Sequence, residues 1–295
     1  MNRIVFLLTH PREALSTILV HFGRKMTDKN YLCLMYLIHF GKLPNLKNPL
    51  TFNEKMNWLK LHGRNDIYTT MADKYAVKEF VANQIGIEYV VKNFGVYDRW
   101  EDIDFDKLPN QFVIKGTHDS GGAFICKDKS TFEFNEVERR IKHNQKINYF
   151  FPLREWPYKN IKPRIIVDQL LDDNSGHELR DYKFWCFNGK PTYMYITNKG
   201  KVIKENFYDM DFNPIAIDHG FERAVPEYEK PAEFEQMKTL AAKLSANIPF
   251  VRVDFFDING RIYFGEFTFY DWGGMRPFNG EWDKRLGKYL DIPKS

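Results

Sequence analysis

Two Asn-Gly pairs, each set between runs of alternating apolar residues, restrict this chain more than any other feature. Asn188-Gly189 separates Tyr182–Phe187 from Tyr193–Thr197, and Asn259-Gly260 separates Phe250–Phe256 from Arg261–Phe269. Both positions of such a pair tolerate positive φ, which matches a tight turn to the right-handed twist of paired strands. The second half of the chain is therefore expected to build antiparallel sheet. Shorter strand-like runs, Tyr89–Val91, Gln111–Lys115, Ala123–Cys126 and Arg164–Leu171, lie upstream.

The first 70 residues read as helices. Lys29–Phe40 carries Leu32, Met35, Tyr36 and His39 at helical spacing, and Thr51 followed by Glu54 has the form of a capping box. Asp73–Ile85, Asn135–Asn148 and a helix opened by Pro231, with Phe234, Met237, Leu240, Ala241 and Leu244 on one face, complete the set. The fold class is α+β and antiparallel-rich, with an N-terminal helical lobe over residues 1–70.

At 295 residues with 43% hydrophobic content, the chain can bury a sizeable core. Its 26 Phe and 16 Tyr are expected mostly inside. Cys33, Cys126 and Cys186 lack zinc-ligand spacing and read as free thiols in a reducing cytoplasm. Up to Arg64, ten Lys and Arg stand against three acidic residues. No nucleic-acid-binding motif accompanies this excess, so no nucleic-acid partner is expected. The apolar stretches Ile4–Leu8 and Ala14–Val20 are too short to span a bilayer, and no signal-peptide cleavage pattern follows them. Two readings stay open for the lobe: packing on the main domain, or peripheral contact with the inner face of a membrane.

Three segments carry residues suited to chemistry. In Val113-Ile114-Lys115-Gly116-Thr117-His118-Asp119-Ser120-Gly121-Gly122, a strand ends on a lysine and runs into a glycine-rich loop able to close over phosphates. An ordinary hairpin turn would read the same way. Asp181 and Lys183 alternate onto one face of their strand, as a solvated pair or as ligands for ribose and phosphate. In the last hairpin, Arg252 and Asp254 share a face, and Glu266 and Thr268 share one on the partner strand. A two-residue turn would put Asp254 and Glu266 on opposite sides. A three-residue loop with a glycine bulge, pairing Asp257 with Arg261 and Arg252 with Glu266, would bring them together. Two carboxylates so placed suit Mg²⁺ held with phosphate oxygens, or else a cross-strand salt bridge.

Taken in order, Phe52-Asn53-Glu54-Lys55, Asp73-Lys74-Tyr75, Val113-Ile114-Lys115-Gly116, Asp181-Tyr182-Lys183-Phe184, Phe250–Asp254 and Tyr263–Phe269 resemble the ATP-grasp superfamily, in its TupA-like branch of surface polysaccharide synthesis. The resemblance runs from about Thr51 to Leu290. It implies an ATP-grasp fold over residues 71–295, with antiparallel sheets clasping a nucleotide and a small clasping subdomain at about 110–170. It implies ATP and Mg²⁺ as cofactors. Lys74 and Lys115 would bind phosphates under a loop of Ser120, Gly121 and Gly122. Asp168, Gln169, Leu170 and Leu171 would form the adenine hinge, with Asp181 at the ribose and Lys183 toward the phosphates. Asp254, Glu266 and Thr268 would ligate the metal. Arg252 would stabilise the transferring phosphoryl group, and Asp271–Met275 would line the acyl phosphate site.

Two positions depart from the family pattern. Glu266-Phe267-Thr268 stands where Glu-x-Asn is common, and Asp168 where a glutamate is common. The implied reaction joins a carboxylate to an amine through an acyl phosphate. A uronic acid joined to an amino acid or other amine, or an aminosugar acylated by an amino acid, fits equally, with a saccharide or sugar-nucleotide acceptor. A glycosyltransferase using Asp209 and Asp211, and a sugar kinase using the same ATP site, are the alternatives.

Overall fold

The computed structural model describes residues 11–119, 122–176, 179–198 and 202–293. Ser120, Gly121 and the Ile4–Leu8 stretch lie outside them.

The helical part opens with α1 (Pro11–Phe22) and α2 (Asp28–Phe40). Thr27 caps α2 by accepting from the Asn30 N–H, and Gly41 ends it at φ 70°. The expected capping box opens α3 (Phe52–His62): Thr51 accepts from Glu54 N at 3.3 Å, and Glu54 accepts from Thr51 N at 3.2 Å. The buried Glu54 carboxylate also takes the N–H groups of Asn45 and Leu50, tying the preceding turn to the helix. Next come α4 (Ile67–Ala72) and α5 (Ala76–Ile85).

A four-stranded antiparallel sheet has the order β1 (Asn93–Tyr97), β4 (Ile165–Asp168), β2 (Phe112–Gly116), β3 (Ala123–Cys126). It therefore begins upstream of residue 110. Tyr89–Val91 is not a strand: Ile87–Tyr89 forms a 3₁₀ turn, and pairing starts at Asn93. Helices α6 (Phe134–Asn144) and α7 (Phe150–Leu153) lie between β3 and β4. Val137 and Ile141 of α6 join Phe112, Ile114, Ile165 and Val167 in this sheet's core.

The second sheet has six antiparallel strands in the order β10-β9-β5-β6-β7-β8. These are β5 (Arg180–Phe187), β6 (Lys190–Asn198), β7 (Lys204–Asp209), β8 (Pro214–Ile215), β9 (Phe250–Ile258) and β10 (Arg261–Thr268), with α8 (Phe234–Leu244) before β9 and α9 (Trp282–Gly287) at the end. Asn188 and Gly189 have φ of 49° and 77°, the tight turn their sequence requires. Phe52 of α3 stacks on Trp185 and meets Phe250 edge to face, so this helix packs into the large sheet's core. Helices α1 and α2 contribute to a separate cluster with Met275. Helix α1 buries no residue fully and turns Leu15, Ile18 and Phe22 outward. Among the described residues no helix is long and apolar enough to cross a membrane. All three cysteines are free.

Candidate functional site

Between the two sheets lies a cavity of about 320 Å³, within the size range of small-molecule sites. The small sheet contributes Lys115, Ala123 and Asp168 to its wall. The large sheet contributes Asp181, Lys183, Asp254 and Glu266, and Lys74 and Lys78 enter from the segment that opens α5. Alternation along β2 and β5 turns these charges inward while their apolar neighbours face the cores.

Asp168 organises one end. Its carboxylate takes Lys78 at 3.1 Å on Oδ1 and Lys115 at 3.0 Å on Oδ2, and Asn93 also donates to Oδ1 at 3.1 Å. Burial lowers the Lys78 ammonium below its ordinary range, Asp168 opposes that shift, and Lys115 adds to it. Lys74 turns instead to Asp119, donating to its backbone carbonyl and, at 3.0 Å, to its fully buried carboxylate.

Asp254 organises the other end. Arg252 grips it with Nε on Oδ1 and Nη2 on Oδ2, each at 2.7 Å, and Lys183 reaches Oδ2 at 2.5 Å. Lys183 is also 3.3 Å from Asp181. Burial alone would raise the Asp254 carboxyl, but Arg252 and Lys183 hold it below the usual carboxylate range. Burial alone would lower the Arg252 guanidinium. Asp254, Tyr195 and Asp271 reverse this and raise it well above its ordinary value. The remaining bonds of Arg252 go to Glu266 at 3.0 Å, Asp271 at 2.9 Å and the Tyr195 hydroxyl at 3.1 Å.

Asp254 and Glu266 do share a face, though not through a three-residue loop. The turn is the two-residue Asn259-Gly260, pairing Arg261 with Ile258. That register alone would separate the two carboxylates. A β-bulge between Phe264 and Phe267 sets Gly265 and Glu266 together against Asp254, which flips Glu266 back to the cavity side. A Cβ at position 265 would lie 3.1 Å from the Asp254 carbonyl oxygen, so the close approach favours glycine. Beyond the bulge Thr268, not Glu266, pairs with Arg252.

Asp271 belongs to a tight loop that α3 holds. Asn53, Asn57 and Lys60 form one buried polar stripe along this helix. They donate to the carbonyls of Arg276 at 3.0 Å, of Gly274 at 2.9 Å and of Gly273. The loop needs the support: Trp272, Gly273 and Gly274 all have positive φ. A Cβ at Gly274 would meet Met56 Cβ at 2.6 Å. His219, fully buried, sits between Glu205 at 3.0 Å and Asp271 at 3.5 Å.

Of the sequence-expected residues, Lys74, Lys115, Gly122, Asp168, Asp181, Lys183, Asp254 and Glu266 line the cavity. Arg252 reaches it through Asp254 and Glu266. Gln169, Leu170, Leu171 and Thr268 do not line it. The Gln169 N–H is spent on the Lys92 carbonyl at 2.9 Å, while Val90 and Val91 line the cavity wall with Asp168. Sequence reading missed Lys78, Tyr158, Tyr195, His219 and the Asn53-Asn57-Lys60 stripe. Lys78, four residues after Lys74, and Asn53, Asn57 and Lys60, at i, i+4 and i+7, had spacings that signalled a shared face.

Asp209 and Asp211, the pair a glycosyltransferase would use, form a turn instead. The Asp209 carboxylate accepts from Asp211 N at 2.9 Å, Asn213 N at 2.8 Å and Asn213 Nδ2 at 3.0 Å. Among the described residues no three His, Cys, Asp or Glu side chains are arranged to hold a metal ion. Mg²⁺ bound with a nucleotide needs fewer, since phosphate oxygens and water complete its shell. Asp254 and Glu266 fit that requirement: both face the cavity, and the half-exposed Glu266 commits only Oε1, to Arg252.

Comparison with known proteins matches this sequence to a family. The TupA-like ATP-grasp model matches residues 54–291. No curated protein matches the sequence. Similar solved structures include the D-alanine–D-alanine ligase of Bacillus anthracis complexed with ATP, at 14% identity and TM-score 0.41, over 74% of this chain and 62% of that one. The D-alanine–D-alanine ligase of Helicobacter pylori has 16% identity and TM-score 0.45, over 81% and 69%. The ATP-grasp ligase PsnB, complexed with a phosphomimetic variant of its minimal precursor, Mg and ADP, has 8% identity and TM-score 0.39, over 91% and 64%. The chain thus spans about 62% of the first structure's length. With the family model covering most of its length, the chain belongs to the TupA-like ATP-grasp family.

Proposed function

We propose that this protein is an ATP-dependent ligase that joins a carboxylate to an amine through an acyl phosphate. The observation that carries the reading is the cavity between the sheets. Lysines 74, 78, 115 and 183 enter it beside the Asp254–Glu266 pair, and Arg252 is fixed at its edge. Four cations around one cavity suit a polyphosphate.

Phosphoryl transfer asks little covalent help from a protein and much positioning. Lys74, Lys78, Lys115 and Lys183 would hold the phosphates, each already fixed by a carboxylate. Asp254 and Glu266 would hold Mg²⁺, which neutralises phosphate charge when bound. Arg252 stays protonated and cannot swing, because Asp254 and Asp271 fix it from two directions. It would meet the charge that develops as the γ-phosphoryl group passes to a carboxylate oxygen, giving ADP and an acyl phosphate. The amine then attacks the acyl carbon, phosphate leaves, and the nitrogen loses a proton.

The substrates of this reading are a uronic acid with an amino acid, or an aminosugar acylated by one, on a saccharide or sugar nucleotide during surface polysaccharide synthesis. The outward row of Leu15, Ile18 and Phe22, on the lobe where cations outnumber anions, supports work at the inner face of a membrane. The test is hydroxylamine trapping. With ATP, Mg²⁺ and the acid, a ligase yields a hydroxamate. A sugar phosphate in its place would make the protein a kinase and end this proposal.

A further inference from the structure

Arg276, near this site, forms no ion pair among the described residues, and among them its guanidinium makes no hydrogen bond. It lies 4.1 Å from the centre of the Trp272 ring and 4.6 Å from that of Phe221. Stacking on two rings fixes the plane of the group and leaves its N–H donors unused. Glu205, Asp271 and Asp218 act on it electrostatically without pairing with it: Asp271 accepts from Arg252 at 2.9 Å, Glu205 lies 3.0 Å from His219, and Asp218 accepts from the Gly220 N–H.

The surroundings are built rather than incidental. Asn53 holds the Arg276 carbonyl at 3.0 Å, and the neighbouring α3 side chains hold Gly273 and Gly274. Trp272 has φ 47° and ψ 30°, left-handed for a bulky residue, and keeps 45% of its surface exposed. A strained backbone that displays an indole beside an unused guanidinium points to a ligand.

Position narrows the ligand. Neither Arg276, Trp272 nor Phe221 lines the cavity between the sheets, yet Trp272 follows Asp271, whose carboxylate touches Arg252. The platform therefore adjoins Arg252 from outside the nucleotide cavity, a position suited to the substrate that attacks the acyl phosphate. The carboxylate being phosphorylated belongs beside Arg252, so the anion at Arg276 is a different, non-reacting one. We propose that Arg276, with Trp272, binds a carboxylate on the substrate that supplies the amine. That substrate is then an amino acid and not an aminosugar, which carries no carboxylate. This inference rests on the ligase reading above.

The test is saturation-transfer NMR on the full chain loaded with Mg²⁺ and a non-hydrolysable ATP analogue. The probes are the standard amino acids, their amides, glucosamine and a uridine diphosphate aminosugar. At least one amino acid should bind, with its amide about tenfold weaker or worse, the loss expected for a bidentate charge-assisted pair. Arg276→Gln should weaken the acid to a similar degree while leaving the affinity for the analogue unchanged, and Arg276→Lys should retain part of the binding. Equal binding of acid and amide by the wild type overturns the proposal without any variant. So does binding of no amino acid, acid binding indifferent to Arg276→Gln, or Arg276-dependent binding of the sugar nucleotide alone. If the wild type fails to bind the analogue, the ligase reading falls and this inference with it. If the analogue binds and the acids do not, only this inference falls.

Discussion

Arg252 and Asp254 stand two residues apart on β9 and are joined by two parallel hydrogen bonds, Nε to Oδ1 and Nη2 to Oδ2, each 2.7 Å long. Alternation along the strand puts them on one face, and the pairing fixes a guanidinium that would otherwise sample many rotamers. Asp254 thus has two tasks: it anchors the arginine and faces the cavity as a carboxylate.

The first prediction follows from that double role. Asp254→Asn leaves Arg252 and Lys183 each short of a charge partner in a largely buried setting. Breaking such a pair costs about 3 kcal/mol or more, and urea unfolding should show it. Acid dependence should change as well. The folded Asp254 carboxyl lies below its ordinary value, so its stabilisation is present above that value and lost as pH falls through the folded one. The variant should lack this share of the acid loss. An unchanged urea midpoint and acid limb would contradict the geometry.

Asp168 is predicted to matter more for folding than either lysine it holds. Lys115→Met leaves the carboxylate with Lys78 and Asn93, and should destabilise by about 1 kcal/mol or less. It should also weaken nucleotide binding about tenfold, as expected for a lost charged contact. Asp168→Asn sets two lysines against each other in a half-dry cavity and should cost about 2 kcal/mol or more. Denaturant midpoints for the two variants check the order.

Lys60 of the α3 stripe and the half-buried Glu155, which act on each other electrostatically, give a pH signature. Burial raises the Glu155 carboxyl above its ordinary value and lowers the Lys60 ammonium below its own, each partner opposing the other's shift. As pH rises from the ordinary carboxylate range to the folded Glu155 value, the native state keeps a proton the unfolded chain has lost, so stability falls. As pH rises from the folded Lys60 value toward the ordinary lysine range, the unfolded chain holds the extra proton, so stability recovers. Stability should therefore dip between the two folded values, and Glu155→Gln should remove the falling limb. Urea midpoints measured across the pH range would reveal it, and a flat wild-type profile would contradict it.

Much of this site was legible because charged residues at strand ends keep their local meaning. Lys115 at the end of β2, Asp181-x-Lys183 on β5 and Arg252-x-Asp254 on β9 each reach the site as alternation predicts. What escaped depends on distant packing. The bulge at Gly265-Glu266 is invisible to a count of residues around the turn, so the right face followed from the wrong register. The segment after Asp168 read as a hinge, but its first N–H is used by Lys92, a partner 77 residues away in sequence that no local pattern names. Asn53, Asn57 and Lys60 follow the Thr51–Glu54 cap at helical spacing, and nothing local in the sequence ties them to the site. They are buried because the loop from Tyr270 to Arg276 brings its carbonyls to them. Periodicity reports that a face is polar, not whether water or backbone satisfies it.

If the cavity between the sheets takes ATP with Mg²⁺, losing Glu266 should weaken nucleotide binding and spare the fold. Its side chain is 52% exposed and makes one ion pair, so Glu266→Ala should change the stability of the free protein by about 0.5 kcal/mol or less. The measurement is unfolding of wild type and variant, with and without Mg²⁺ and a non-hydrolysable ATP analogue at about a hundred times its dissociation constant. The wild type should gain about 2.7 kcal/mol, and the variant most of that less. A wild type indifferent to the nucleotide, or stabilised instead by a uridine diphosphate sugar with Mn²⁺, would contradict the account.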